Sequence, residues 1–204
     1  MFIFAPTSFI EGLATGFSLI IAIGAQNAFV LKQGILRNHV LPIITICILV
    51  DASLIAFGVG GFGAFLASNT TLLTISRFGG ATFLAYYGIK SFRSAFAHSS
   101  LEIDINAHKL SLKSSVLTVL ALSLLNPHVY LDTCVLIGSI GAQVEKQGRP
   151  SFAAGAMLAS LVWFFALGYG AAFLIPLFKK PMAWKILDCI IGVVMLGIAF
   201  VLVC

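Results

Sequence analysis

Charge is what this chain has least of. Only 9% of its 204 residues are Asp, Glu, Lys or Arg, where a soluble globular domain carries about a quarter. That scarcity, with 60% hydrophobic residues, excludes a soluble domain and predicts a chain that sits in a bilayer. Cysteine is sparse as well. Cys47, Cys134, Cys189 and Cys204 all fall inside apolar runs and show no CxxC spacing, so neither a disulfide framework nor a zinc site is expected. No basic stripe interleaved with aromatics accompanies the net charge of +5, which removes nucleic acid as a partner; in a membrane protein, basic residues fix orientation instead. The first residues lack a basic segment and a small-residue cleavage site, so the first apolar run is expected to be retained. No cofactor is expected.

What is present in quantity is long apolar runs. Six are of membrane-spanning length: Phe9 to Leu31, Leu41 to Leu66, Leu72 to Phe92, Val116 to Gly141, Phe152 to Leu177 and Trp184 to Val203. The fold class this predicts is all-α, a polytopic membrane protein whose lipid-bilayer partner is implied by composition. The one long connection, 93–115, carries His98, Glu102, Asp104, His108, Lys109 and Lys113 and reads as a solvated link. Connections one, three and five hold or border Lys32, Arg37, Lys90, Arg93, Lys109, Lys113, Lys179, Lys180 and Lys185, against Arg77, Lys146 and Arg149 on the other side. The positive-inside rule makes the first group cytoplasmic, and six spans then put both termini outside.

The runs also repeat. Ala52-Ser53-Leu54 with Phe57, Gly61, Gly63 and Ala64 matches Ala159-Ser160-Leu161 with Phe164, Gly168, Gly170 and Ala171 at one constant offset. Three spans per half is an odd number, so the halves are expected to be inverted repeats: one transmembrane domain over 1–204, with 1–92 and 116–204 as repeats joined by a cytoplasmic 93–115. The small-residue faces permit close helix packing, within one chain or between two copies as a homodimer.

Polar interruptions fall at corresponding places in the two halves: Gly24-Ala25-Gln26-Asn27 and Asn126-Pro127-His128. Amides cost free energy in hydrocarbon unless they find partners, so Gln26, Asn27 and Asn126 are expected to face protein or a water-filled path. Pro127 lacks an amide hydrogen and clashes with the carbonyl four residues back, so the fourth run should open there. Helix ends at mid-membrane attract charge, a carboxylate at the N-terminal end and an ammonium at free carbonyls. A zwitterion such as an amino acid suits both.

Three ionisable groups lie deep. Asp51 is about ten residues into the second run, hence near the bilayer centre by helical rise. Asp132 follows His128 by four residues on one helix face. Either Asp51 is structural, paired with Arg77 or protonated and hydrogen-bonded, or the acids bind a cation or carry protons; Arg77 could equally reach the interface. His128 could relay protons or cap the opened backbone. Glu11 and Asp188 read as interfacial, and Lys32 as the point where lipid ends.

At these residues the chain resembles the lysine exporter (LysE) family, bacterial plasma-membrane exporters of basic amino acids, and its arginine- and lysine-exporting branch above all. The specific stretches are 24–30 with Lys32-Gln33-Gly34, and Asn126-Pro127-His128-Val129-Tyr130-Leu131-Asp132-Thr133. The family usually has proline where this chain has Ala25, which predicts a first helix less broken than the fourth. The resemblance implies a multi-pass exporter in the bacterial inner membrane, moving L-arginine or L-lysine outward. Exporting a cation from a negative-inside cell costs about 2.3 kcal/mol per 100 mV, so coupling is required, and inward proton flow is the simplest source. Asp51 and Asp132 would then hold the cargo's cation and the proton, while Gln26, Asn27, Asn126 and the backbone near Pro127 hold its α-amino and carboxylate groups.

Two rivals follow from the same residues. An exporter of a neutral amino acid or of a divalent metal would also use Asp51, His128 and Asp132, which supply three ligands. An intramembrane enzyme built on those groups would need a nucleophile motif, and the sequence shows none.

Overall fold

The computed structural model describes residues 4–21, 24–62, 70–97, 109–126 and 129–203, and among them every regular element is helical. Lipid offers the backbone no hydrogen-bond partners, and a helix satisfies its own N–H and C=O groups within one segment. The helices are α1 (Pro6–Ile20), α2 (Ala25–Ile35), α3 (Val40–Phe57), α4 (Thr70–Ala97), α5 (Leu112–Leu124), α6 (Ile137–Gln143), α7 (Arg149–Gly170) and α8 (Pro181–Val203). Local chemistry sets several boundaries. Pro6 opens α1, where its missing N–H costs nothing. The Ser111 hydroxyl caps α5 by accepting from the Ser114 amide at 3.2 Å. After α3 the chain runs through a wide π-type turn, Gly58–Phe62, in which Gly61 takes φ 97°, a conformation open to glycine.

Three segments, Val40–Gly61, Arg149–Leu174 and Met182–Val203, are long and apolar enough to cross a membrane, and α1 with α2 makes a fourth if that bent pair is one span. Two of the six runs are broken, the first and the fourth. The first run is two helices inclined by 82°, the second of them preceded by Gly24 in an extended conformation (φ −127°, ψ 173°). Ala25 in place of proline does not keep this run straight. The fourth run stops at Leu124 and resumes as a π-helical stretch, Tyr130–Leu136, that leads into α6. Both breaks fall at the polar interruptions.

Helix association in lipid relies on close backbone approach rather than on the hydrophobic effect, and the glycines show where this happens. α1 packs parallel to α7: the Ala5 amide donates to Ser151 Oγ at 3.0 Å, and Gly16 lies against Ala156 and Ala159. α4 packs antiparallel to α8, with Gly88 against Leu196 and Gly192 against Phe92. α3 runs antiparallel to α7, since Ile44 meets Gly168 while Asp51 meets Ser160. It runs parallel to the fourth run: Cys134 Sγ donates to the Leu54 carbonyl at 3.1 Å and Gly138 faces Gly58. Phe29, Ile44, Leu84, Leu122, Phe164 and Met195 fill the space between helices. Gly58 and Gly168 thus spend their small faces inside one chain, whereas Gly61 and Gly170 have nothing within 4 Å.

A Cβ on Gly155 would overlap the Phe9 carbonyl oxygen, whereas Gly170 has nothing within 4 Å. Gly155→Val is therefore expected to cost about 1–3 kcal/mol or more through overpacking and to lower the melting temperature of detergent-purified protein. Gly170→Ala should melt with the wild type; equal melting of all three would show that α1 and α7 do not touch here.

Candidate functional site

The break in the first run places polar side chains in the interior. Asn27 pins the bend: its Nδ2 donates to the Ile20 carbonyl at 2.9 Å, and its Oδ1 accepts from Trp163 Nε1 of α7 at 3.3 Å. One residue earlier, Gln26 is buried with its side-chain amide toward the Cys47 thiol of α3, and apart from that sulfur its Nε2 has no hydrogen-bond partner among the described residues. A buried donor left unmade costs about 1–3 kcal/mol, which a fold tolerates where a ligand or water completes it.

One turn beyond Cys47 on the same face of α3 is Asp51. It is 4% exposed and accepts a 2.7 Å hydrogen bond from Ser160 Oγ of α7. Among the described residues no Lys or Arg pairs with it. Gln26, Asp51 and Ser160 therefore form one cluster where α2, α3 and α7 meet, beside the N-terminal, partially positive end of α2. A lone carboxylate there asks for a cation, and a proton, an ammonium or a guanidinium would each supply one.

The fourth run contributes less that can be placed. Asn126 is buried just past the end of α5, and its carbonyl accepts from the Val129 amide at 3.1 Å. Pro127 and His128 lie outside the described residues, as does the Asp132 side chain, whose backbone is in the π-helical stretch. Such stretches are frequent at functional sites. Among the described residues no group of three or more His, Cys, Asp or Glu converges.

Arg77 turns to the end of α8 rather than to Asp51. Its Nε donates to the Leu202 carbonyl and its Nη2 to the Val203 carbonyl at 2.9 Å. The guanidinium thus caps the last turn of α8, a favourable place for a cation, and the pairing with Asp51 is not made.

Two charges read as lying at span ends are buried against each other. Lys32 of α2 forms an ion pair with Asp188 Oδ1 of α8, at 8% and 0% exposure, and Ser94 Oγ of α4 donates to Asp188 Oδ2 at 2.8 Å. The sequence signal for this pair is present: a lysine eight residues into α2 and an aspartate eight residues into α8. Starting the sixth run at Trp184 places Asp188 near an end and hides it.

The chain matches the LysE type translocator family over residues 17–204. It is 46% identical over 196 residues to YggA of Aeromonas salmonicida, described as a candidate amino-acid transporter, covering 96% of this chain and 94% of that protein. It is 43% identical over 191 residues to the arginine exporter ArgO of Serratia proteamaculans, covering 94% and 93%. A further arginine exporter ArgO, of Pectobacterium carotovorum, is 39% identical over 191 residues, covering 94% of each. No solved structure matches. With the family matched from residue 17 to the last residue and relatives aligned along nearly their whole length, the chain belongs to the LysE type translocator family.

Proposed function

We propose that this chain exports a basic amino acid, arginine before lysine, from the bacterial cytoplasm across the inner membrane in exchange for protons moving inward. The observation that carries the reading is Asp51: a carboxylate 4% exposed at the meeting of three helices, hydrogen-bonded to Ser160 and without a basic partner among the described residues. The relatives named arginine exporters supply the cargo. The guanidinium would sit against Asp51, with the buried Gln26 amide and the start of α2 taking part of the cargo's polar main-chain end. Asn27 and Asn126 would hold the two breaks in shape, and Pro127, His128 and Asp132 would complete the site from the fourth run. Protonation of Asp51 from outside would weaken its hold on the cation and release it.

Alternating access needs two halves that rock against each other. The packing directions support six crossings in two inverted halves. Runs one and five lie parallel, runs two and four parallel, runs two and five antiparallel, and runs three and six antiparallel. That is the alternation six successive crossings require. Lys32, Ser94, Leu110 and Asp188 gather at one end, and Arg77 and Val203 lie at the other. The positive-inside rule makes the first end cytoplasmic.

The test is efflux of labelled arginine and lysine from preloaded cells that lack their own basic amino-acid exporters. Cells expressing this chain are expected to lose arginine faster than control cells, and a proton ionophore should slow that loss. Equal efflux with and without membrane-inserted protein would overturn the cargo, and efflux indifferent to the ionophore would overturn the coupling.

A further inference from the structure

A cavity of about 220 Å³ opens beside the Lys32–Asp188 pair. Its wall from α4 is built by Tyr87, Lys90, Ser91 and Ser94, spaced i, i+3, i+4 and i+7, so one helix face supplies it. α2 supplies Lys32 and Gln33. The volume is below the roughly 300–1,000 Å³ that drug-sized ligands need, which suits a single amino acid or something smaller.

The wall's chemistry is one-sided. Asp188 already has a partner on each oxygen, Lys32 on Oδ1 and Ser94 on Oδ2, and it is fully buried. The ion pair is internally neutral, which leaves Lys90 as an uncompensated cation; it is exposed and has no ion-pair partner among the described residues. Next to it Ser91, 3% exposed, and Tyr87, 9% exposed, line the cavity with hydroxyls that make no hydrogen bond among the described residues. An ammonium and two hydroxyls with no hydrogen bond among the described residues line one small space, and such groups together recognise an anion with several acceptor atoms.

We propose that this cavity binds the carboxylate of a small zwitterion, on Lys90, Ser91 and Tyr87, at the cytoplasmic end of the molecule. The side of the membrane and the identity of the zwitterion as transported cargo rest on the function proposed above; the carboxylate chemistry rests on the cavity alone. Gln33 lies seven residues after Gln26, two turns along the same face of α2 and about 10 Å away by helical rise. One helix face therefore runs from this cavity to the Asp51 cluster, and the cavity is the first stop for a cargo whose cation then moves to Asp51.

The test is equilibrium binding of labelled arginine, alanine and agmatine, the last being arginine without its carboxylate, to full-length protein in lipid nanodiscs. Lys90 is exposed, so Lys90→Gln should fold as the wild type does. It is expected to weaken the carboxylate probes that bind the wild type about tenfold, the loss of one charged hydrogen-bonding partner, to leave agmatine unchanged, and to be rescued by Lys90→Arg. Unchanged carboxylate binding in Lys90→Gln, equal weakening of agmatine, or wild-type protein that holds no carboxylate probe would each overturn the proposal. Alanine binding that Lys90→Gln weakens, with no arginine binding at all, would uphold the cavity and overturn the basic cargo.

Discussion

Asp188→Asn is expected to destabilise the protein by about 3–5 kcal/mol, because it leaves a lysine ammonium in the interior with no carboxylate to answer it. Asp188 is fully buried and Lys32 is 8% exposed, so the anion has no route to water when its partner is removed and the ammonium has only the small cavity it lines. The pair also ties three helices: Lys32 belongs to α2, Asp188 to α8, and Ser94 of α4 completes the carboxylate. Lys32→Met should cost a similar amount by stranding the anion instead. The double change Lys32→Met with Asp188→Leu should recover most of the loss, since a buried ion pair replaced whole by apolar side chains is often neutral. The measurement is thermal unfolding of each purified variant in one detergent, with the folded fraction read by size exclusion. Single variants that melt with the wild type would mean that water reaches the pair. A double variant as unstable as the singles would mean that the charges are not each other's partners.

How far the sequence leads depends on whether a residue's role is set by its own run or by a neighbour far along the chain. The helix breaks belong to the first kind. Glycine followed by two amides at 24–27, and proline after asparagine at 126–127, are local conflicts with a continuous helix, and both runs break there. Ala25 marks the limit of that reasoning, because the absence of a proline says nothing about an extended glycine one residue earlier. Asp51 is legible as a deep acid, but its partner is not. Ser160 stands 109 residues away and is visible in the sequence only as a repeat position. Lys32 and Asp188 are 156 residues apart, and each resembles an ordinary charge at a membrane boundary until the helices are placed. Arg77 has two destinations of comparable reach, and the tertiary arrangement of α4 against α8 selects the carbonyls at the end of α8. The family, by contrast, is written in local stretches of side chains, which is why residues 24–34 and 126–133 point to it without any knowledge of how the helices pack.

Asp51→Asn is the substitution that separates a structural acid from a working one. Asparagine has nearly the same shape, and its Oδ1 can still accept from Ser160 Oγ, the bond that holds the native side chain at 2.7 Å. The folded protein should therefore reach the membrane and melt within about 1 kcal/mol of the wild type, since removing an unpaired buried charge relieves a desolvation cost. Its arginine efflux should nevertheless fall about 10- to 100-fold, because a charged partner worth roughly 1.5–3 kcal/mol is lost to the guanidinium, and the remaining efflux should no longer respond to a proton ionophore. Ser160→Ala should lower efflux by a smaller factor, as it removes one hydrogen bond and leaves the charge in place. The two variants thus predict an order, with position 51 far more damaging to efflux than position 160. Asp51→Asn at full efflux would reduce Asp51 to a packing residue. A protein that instead fails to fold would assign it to the structure, and the search for the cation site would move to Asp132.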